Sequence, residues 1–148
     1  MKRDHGWIRT LLEEAENERM HLLTALQLKQ PGLGFKLAVL ISQGIFYNFF
    51  FVSYVLSPTY CHRLVGYLEE EAVKTYTKCL EEFDKGNLPV WEKTPAPEIA
   101  KHYWNLSENA TMRDVIANIR ADEANHRDVN HTLAGLKMDD TNPFSLKE

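Results

Sequence analysis

The sequence predicts an all-α chain of four substantial helices. Three observations predict it. Apolar residues recur at spacings of three and four in long stretches, Pro, Gly and capping residues separate those stretches, and no run alternates with the period of a strand. With 148 residues, 44% of them hydrophobic and 26% charged, the chain is one domain's worth, read as a single unit over 1–148, and it can bury a core.

The first helix is expected over 7–28, where Ile8, Leu11, Ala15, Leu22 and Ala25 form a stripe interrupted by Glu18. Pro31, Gly32 and Gly34 mark a connector over Lys29–Lys36. Leu37–Leu56 follows without a single charge. Ser57-Pro58 reads as an N-cap with proline at the first helical position. It opens a helix to about Phe83 whose stripe is His62, Val65, Glu69, Ala72, Tyr76, Cys79 and Phe83. Lys85–Ala110, with Pro89, Pro95 and Pro97, is expected to be loop, with a short helix around Ile99–Trp104. Thr111 and Asp114 form a capped start. The helix after them runs to about Leu133, with Met112, Ile116 and Ile119 inside. The tail over 137–148 is polar and expected to be loose.

The net charge of −4 leaves no basic footprint, which excludes nucleic acid as the natural partner. Cys61 and Cys79 are too few for a disulfide framework and read as reduced packing residues. Met1-Lys2-Arg3-Asp4-His5 leads into no apolar run, and the next thirty residues are rich in Glu, so neither a signal peptide nor a transit peptide is expected.

The chemistry lies where acids interrupt apolar stripes. Glu18 and His21 stand on the first helix and Glu123 and His126 on the last, each pair at i, i+3; Glu69 lies on the stripe between them. Glu70 and Glu71 point elsewhere by helical geometry. Ionised carboxylates aimed at one core need compensation, and no arginine lies on these stripes. A metal pair compensates them: carboxylate and imidazole suit iron or manganese, and the helix-bundle pattern takes one Glu from each of two helices and Glu-x-x-His from each of two others. Solvated helix faces or satisfied core histidines are the bland alternative. Tyr76 is either a packing residue or an oxidisable side chain beside the metals, and His62, Tyr103 and Trp104 are equally open on this reading.

Leu37–Leu56 would be about 30 Å long as a helix, enough to cross a bilayer. Yet Glu18 and His21 precede it while Glu69, Glu123 and His126 follow it, and a single crossing would split the site between two sides. This segment is therefore expected to lie in the bundle and dip one face into the interface, as in monotopic proteins, with a soluble core helix as the alternative.

Leu12-Glu13-Glu14-Ala15-Glu16-Asn17-Glu18-Arg19-Met20-His21 resembles a signature of the alternative oxidases. So do Gly66-Tyr67-Leu68-Glu69-Glu70-Glu71-Ala72 and Arg120-Ala121-Asp122-Glu123-Ala124-Asn125-His126-Arg127. The resemblance implies a ferritin-like four-helix di-iron bundle with a membrane-associated apolar helix. It implies a homodimer bound to one leaflet of the mitochondrial inner membrane on the matrix face, oxidising ubiquinol and reducing dioxygen to water without pumping protons. Two iron ions would be held by Glu18, His21, Glu69, Glu123 and His126, with Glu18 and Glu123 bridging. Tyr76 would transfer electrons, and Ala72 and Thr75 would line the quinol pocket. Asn17, Asp122, His62, Tyr103 and Trp104 would orient the ligand histidines.

The pattern asks for four ligand helices and this sequence offers three, so the bundle is expected to be incomplete at the N-terminus. A further ligand Glu, part of the quinol pocket and a targeting segment are expected to lie outside it. The chain is then a piece of an active oxidase, or a short and catalytically silent product that keeps a membrane-binding or dimerising surface. On this reading the 148-residue chain binds fewer than two irons and oxidises no quinol. Plastid terminal oxidases, using plastoquinol, and ferritin-like iron stores are the neighbouring alternatives.

Overall fold

The computed structural model describes residues 4–145. Six helices follow in order: α1 Trp7–Leu28, α2 Leu33–Leu56, α3 Pro58–Asp84, α4 Pro89–Lys93, α5 Glu98–Tyr103 and α6 Met112–Leu133. The fold is all-α; the extended backbone among the described residues is an isolated bridge between Pro95 and Thr111. The expected caps form. Ser57 accepts from the Tyr60 N–H at the start of α3, and Asp114 accepts from the Thr111 N–H at 2.8 Å ahead of α6.

α3 and α6 pack antiparallel. Arg113 at the start of α6 donates to Asp84 at the end of α3, and His62 near the start of α3 meets Asn130 near the end of α6. α1 also runs antiparallel to α6, through Asn17 with Asp122 and Glu14 with Asn130. The apolar core gathers at one end, where Phe83, Ala96, Ala100, Ala110, Met112, Val115, Ile116 and Ile119 bury one another. The proline-rich stretch thus folds around the start of α6, and it holds α4 as well as the expected short helix. In α4, Pro89 takes a first-turn position, where its missing N–H costs nothing.

Four expectations are corrected. The connector ends earlier, because α2 begins at Leu33 with Gly34 inside its first turn. α2 does not lie in the bundle: none of its residues is buried, and only Phe50, Ser53 and Tyr54 at its far end are half-covered. Among the described residues it is not a buried core helix either, for the same reason. The stripe of α1 is turned outward, with Ile8 59% and Leu22 52% exposed. Its inward face is Trp7, Thr10, Glu14, Asn17, His21 and Thr24, all buried or half-buried. The tail is held: Asn142 is buried and donates to the Gly6 carbonyl and Thr10 Oγ1, while Trp7 Nε1 donates to the Asp140 carbonyl. Residues 146–148 of the expected loose tail lie outside the described residues. Cys61 is buried and Cys79 half-buried, and both are free thiols.

Candidate metal centre

Three helices aim side chains into one volume. α1 contributes Glu18 and His21, α3 contributes Glu69, and α6 contributes Glu123 and His126. One ligand atom from each of Glu18, Glu69, Glu123 and His126 lies within 4.8 Å of the others. His21 joins them, its Nδ1 lying 3.5 Å from Glu18 Oε1 and 3.4 Å from Glu123 Oε1. His126 Nδ1 lies 3.1 Å from the same Glu18 oxygen and 3.9 Å from Glu123 Oε2. Glu18 and Glu123 therefore each face both imidazoles.

The electrostatics show a site with too much negative charge. Burial opposes ionisation of Glu18, but the adjacent His126 and His21 rings outweigh it and hold its pKa at about 2. Burial opposes protonation of His21, but Asp122, Glu123 and Glu18 outweigh it and push the ring up to about 11. Glu69 goes the other way: burial first, then Glu123, Glu18 and Glu14, push it up to about 9. Glu69 thus keeps its proton at neutral pH when no cation balances the neighbouring carboxylates.

The donor set fits a hard or borderline divalent cation. It consists of carboxylate oxygens and imidazole nitrogens, which suit iron or manganese. His21 Nδ1 is buried and makes no hydrogen bond, although it faces two carboxylates. Its other nitrogen, Nε2, lies 3.1 Å from Asp122 Oδ2. That carboxylate holds the Nε2 proton and leaves Nδ1 turned into the cluster, where a cation would replace the proton that the carboxylates otherwise keep on the ring, the arrangement that carboxylates impose on metal-binding histidines. An orphaned nitrogen beside excess carboxylate is what a bound cation resolves.

The alternative oxidase family matches the sequence over residues 1–135. The chain belongs to the alternative oxidase family. The mitochondrial alternative oxidase of Emericella nidulans is 59% identical over 99% of this chain and 42% of its own length. That of Yarrowia lipolytica is 54% identical over 99% of this chain and 42% of its own length. That of Cryptococcus neoformans is 55% identical over 100% of this chain and 37% of its own length. The chain thus spans about two-fifths of the length of these alternative oxidases.

The residues marked by resemblance to the alternative oxidases fall into three groups. Glu18, His21, Glu69, Glu123 and His126 come together as described. Glu18 is not a core residue, however: its side chain is 49% exposed, because no described residue covers that side of α1. Asn17, Asp122, Tyr103 and Trp104 form one network. Asp122 Oδ2 accepts from Asn17 Nδ2 at 2.8 Å and Trp104 Nε1 at 2.9 Å, and Asn17 Nδ2 also donates to the Tyr103 hydroxyl at 3.0 Å. The Trp104 ring stacks on His21 with centroids 5.8 Å apart. His62 lies elsewhere; it touches neither ligand ring and bonds Asn130 and Tyr54 instead. Ala72 and Tyr76 are half-buried on α3, and Thr75 is exposed with its hydroxyl turned back to the Glu71 carbonyl. Burial, then Glu123 and Glu18, raise the Tyr76 phenol above its ordinary value.

Sequence reasoning missed Glu14 and Asn130. Asn130 is buried and Glu14 half-buried, and they bond each other at 3.0 Å. The available signal was the seven-residue recurrence of Trp7, Thr10, Glu14, Asn17, His21 and Thr24. Apolar periodicity does not reveal it, because five of these six inward residues are polar.

Proposed function

We propose that the chain serves a mitochondrial, non-proton-pumping ubiquinol oxidase that reduces dioxygen to water at a di-iron centre. The observation that carries this reading is the gathering of Glu18, Glu69, Glu123 and His126 around one volume with His21 Nδ1 orphaned beside it. It occurs in a chain of the alternative oxidase family. Glu18, His21, Glu69, Glu123 and His126 would hold two irons, with Glu18 and Glu123 each facing both imidazoles. An iron pair supplies, when bound, the redox capacity that links quinol oxidation to dioxygen reduction.

The protein's part is to bind, orient and manage protons. Asp122 keeps the His21 proton on Nε2, and Asn17 and Trp104 hold Asp122 in place. The proton held on Glu69 would leave as cations bind, because ligand carboxylates bind deprotonated. Tyr76 stays a neutral phenol near Glu123 and Glu18, suited to pass an electron together with its proton. Ala72 and Thr75 are one helical turn or less from Tyr76 and are assigned to the quinol.

Membrane attachment falls to α2. It is long and apolar enough to cross a bilayer. The structure supports an interfacial placement instead: the cluster unites α1 with α3 and α6, and the four residues between Leu28 and Leu33 are far too short to return the chain across a membrane. The outward apolar residues Ile8, Leu12, Leu22 and Leu26 of α1 are assigned to contact with a second copy.

A second reading is a catalytically silent membrane-binding or dimerising relative. One observation favours it: the described residues gather ligands from three helices, and the bundle pattern uses four. One experiment separates the two readings. Iron uptake per chain is measured after anaerobic loading, and oxygen uptake is followed with ubiquinol and with plastoquinol, for wild type and Glu123→Ala in vesicles. Iron binding and ubiquinol-dependent oxygen uptake, both abolished in the variant, support the oxidase. Iron binding that is lost in Glu123→Ala, without oxygen uptake, supports the metal site but not turnover by this chain alone. Iron uptake that survives in Glu123→Ala refutes the site.

A further inference from the structure

A chain of hydrogen bonds joins the four long helices and passes beside the candidate ligand His126. Its members are Tyr54 of α2, His62 of α3, Asn130 of α6 and Glu14 of α1. Asn130 is the centre of it, 2% exposed and one turn beyond His126. Its Nδ2 lies 3.0 Å from Glu14 Oε2 and 3.0 Å from the His126 backbone carbonyl. Both neighbours only accept, so this side of the carboxamide is the NH2, and Oδ1 is the acceptor. Oδ1 faces His62 Nδ1 at 2.9 Å, which places the His62 proton on Nδ1. His62 Nε2 then carries the lone pair and accepts from the Tyr54 hydroxyl at 3.2 Å. Every donor in the chain therefore points the same way, from α2 toward Glu14.

We propose that Asn130 is a positioning residue of the metal centre. Its carboxamide fixes the backbone that carries His126 and ties it, through His62 and Tyr54, to the apolar helix α2. The proposal rests on His126 being a metal ligand, as argued above. It adds a group outside the ligand set and a physical link between α2 and the site. The position is demanding: a buried amide makes three bonds here, and losing one partner leaves buried polar groups unpaired. Removing outer partners of metal ligands weakens binding by about 10–100-fold. Asn130 acts on the His126 carbonyl rather than its ring, so a loss of about 10-fold is expected.

The test compares wild type with Asn130→Leu and Asn130→Asp in the full 148-residue chain. Asn130→Leu removes all three bonds. Asn130→Asp keeps the acceptor for His62 and removes both donors. Two readouts are used: histidine ring 15N resonances of the metal-free chain, and Co(II) affinity by chelator competition. In wild type, His62 is expected to be protonated at Nδ1. That signature survives in Asn130→Asp and is lost in Asn130→Leu, whereas Co(II) binding weakens about 10-fold in both. A general loss of structure would not separate the variants in this way. A wild-type His62 protonated at Nε2 overturns the proposal, as does Asn130→Asp binding Co(II) within twofold of wild type. If wild type takes up no Co(II), the metal-centre reading fails. The clasp is then decided on the metal-free chain alone: a His126 ring signal displaced in Asn130→Asp upholds it, and an unmoved one overturns it.

Discussion

Replacing Glu69 by Gln tests the charge balance of the centre without any metal. Burial first, then Glu123, Glu18 and Glu14, push the Glu69 pKa from 4.5 up to about 9. The folded chain therefore keeps a proton that the unfolded chain releases above 4.5. Stability from this group is fully present below 4.5 and is lost as pH rises toward 9. His21 and His126 also bind protons more tightly when folded, and their contribution is fully present below 6.5, their unfolded value. His62 binds its proton less tightly when folded, an effect common to both chains. The window from pH 5 to 6.5 therefore isolates Glu69 in the comparison of the two chains. Each pH unit there is worth up to about 1.4 kcal/mol, or about 2 kcal/mol across the window. Glu69 is only about half removed from solvent, and screening brings this to about 1 kcal/mol. Gln keeps a donor for Glu123 and has no proton to lose. Urea unfolding followed by circular dichroism in EDTA should show Glu69→Gln gaining about 1 kcal/mol on wild type between pH 5 and 6.5. Other titrating groups are common to both chains and cancel in the difference. Parallel stability curves, or a difference that shrinks with rising pH, would refute the retention of a proton on Glu69.

Three further outcomes follow from the same geometry. Asp122→Asn loses the carboxylate that accepts from His21, Asn17 and Trp104; Co(II) affinity should fall about 10–100-fold, and unchanged affinity would show that the His21 orientation is set elsewhere. Gly66→Ala places a Cβ 2.7 Å from His131 Nδ1, so urea unfolding should register a loss of about 1–3 kcal/mol, and a change below about 0.5 kcal/mol would mean that the ring moves aside freely. Loading the chain with a divalent cation at about 100 times its Kd stabilises the bound state by about 2.7 kcal/mol; hydrogen exchange should slow more in α1 than in residues 112–119 of α6, and equal slowing would count against α1 docking through the centre.

The long helices were legible because their signals are local. Ser57-Pro58 and Thr111 with Asp114 carry their caps in the sequence, and Phe83, Met112, Ile116 and Ile119 bury where periodicity puts them. The five ligand candidates were legible too, since Glu and His at i, i+3 stand out on an apolar stripe. Three things were not. The inward face of α1 could not be read from hydrophobicity, because its neighbours across the gap are Asp122, Glu123, His126 and Asn130 rather than apolar side chains. The exposure of α2 could not be read either, since an apolar helix looks the same whether protein or lipid covers it. Glu14 and Asn130 depend on contacts 116 residues apart, which no spacing rule reaches.

The reversal of α1 follows from what it packs against. A helix normally docks by burying apolar area, a contribution indifferent to charge and pH. α1 instead meets α6 through Asn17 and His21 on Asp122 and through Glu14 on Asn130. Polar contacts of this kind stabilise fully only where every buried group is paired, and the cost of one orphan exceeds the gain from one bond. Among the protein's own groups the pairing is incomplete: His21 Nδ1, Asn17 Oδ1 and Glu14 Oε1 are buried without partners. The α1–α6 seam is therefore the place where a cation adds most, because it satisfies the orphaned nitrogen and balances the carboxylates together. Metal binding and the docking of α1 are then one equilibrium. The two Glu-x-x-His pairs sit on the two sides of this seam, each carrying a ligand histidine, so that cation binding draws on both helices.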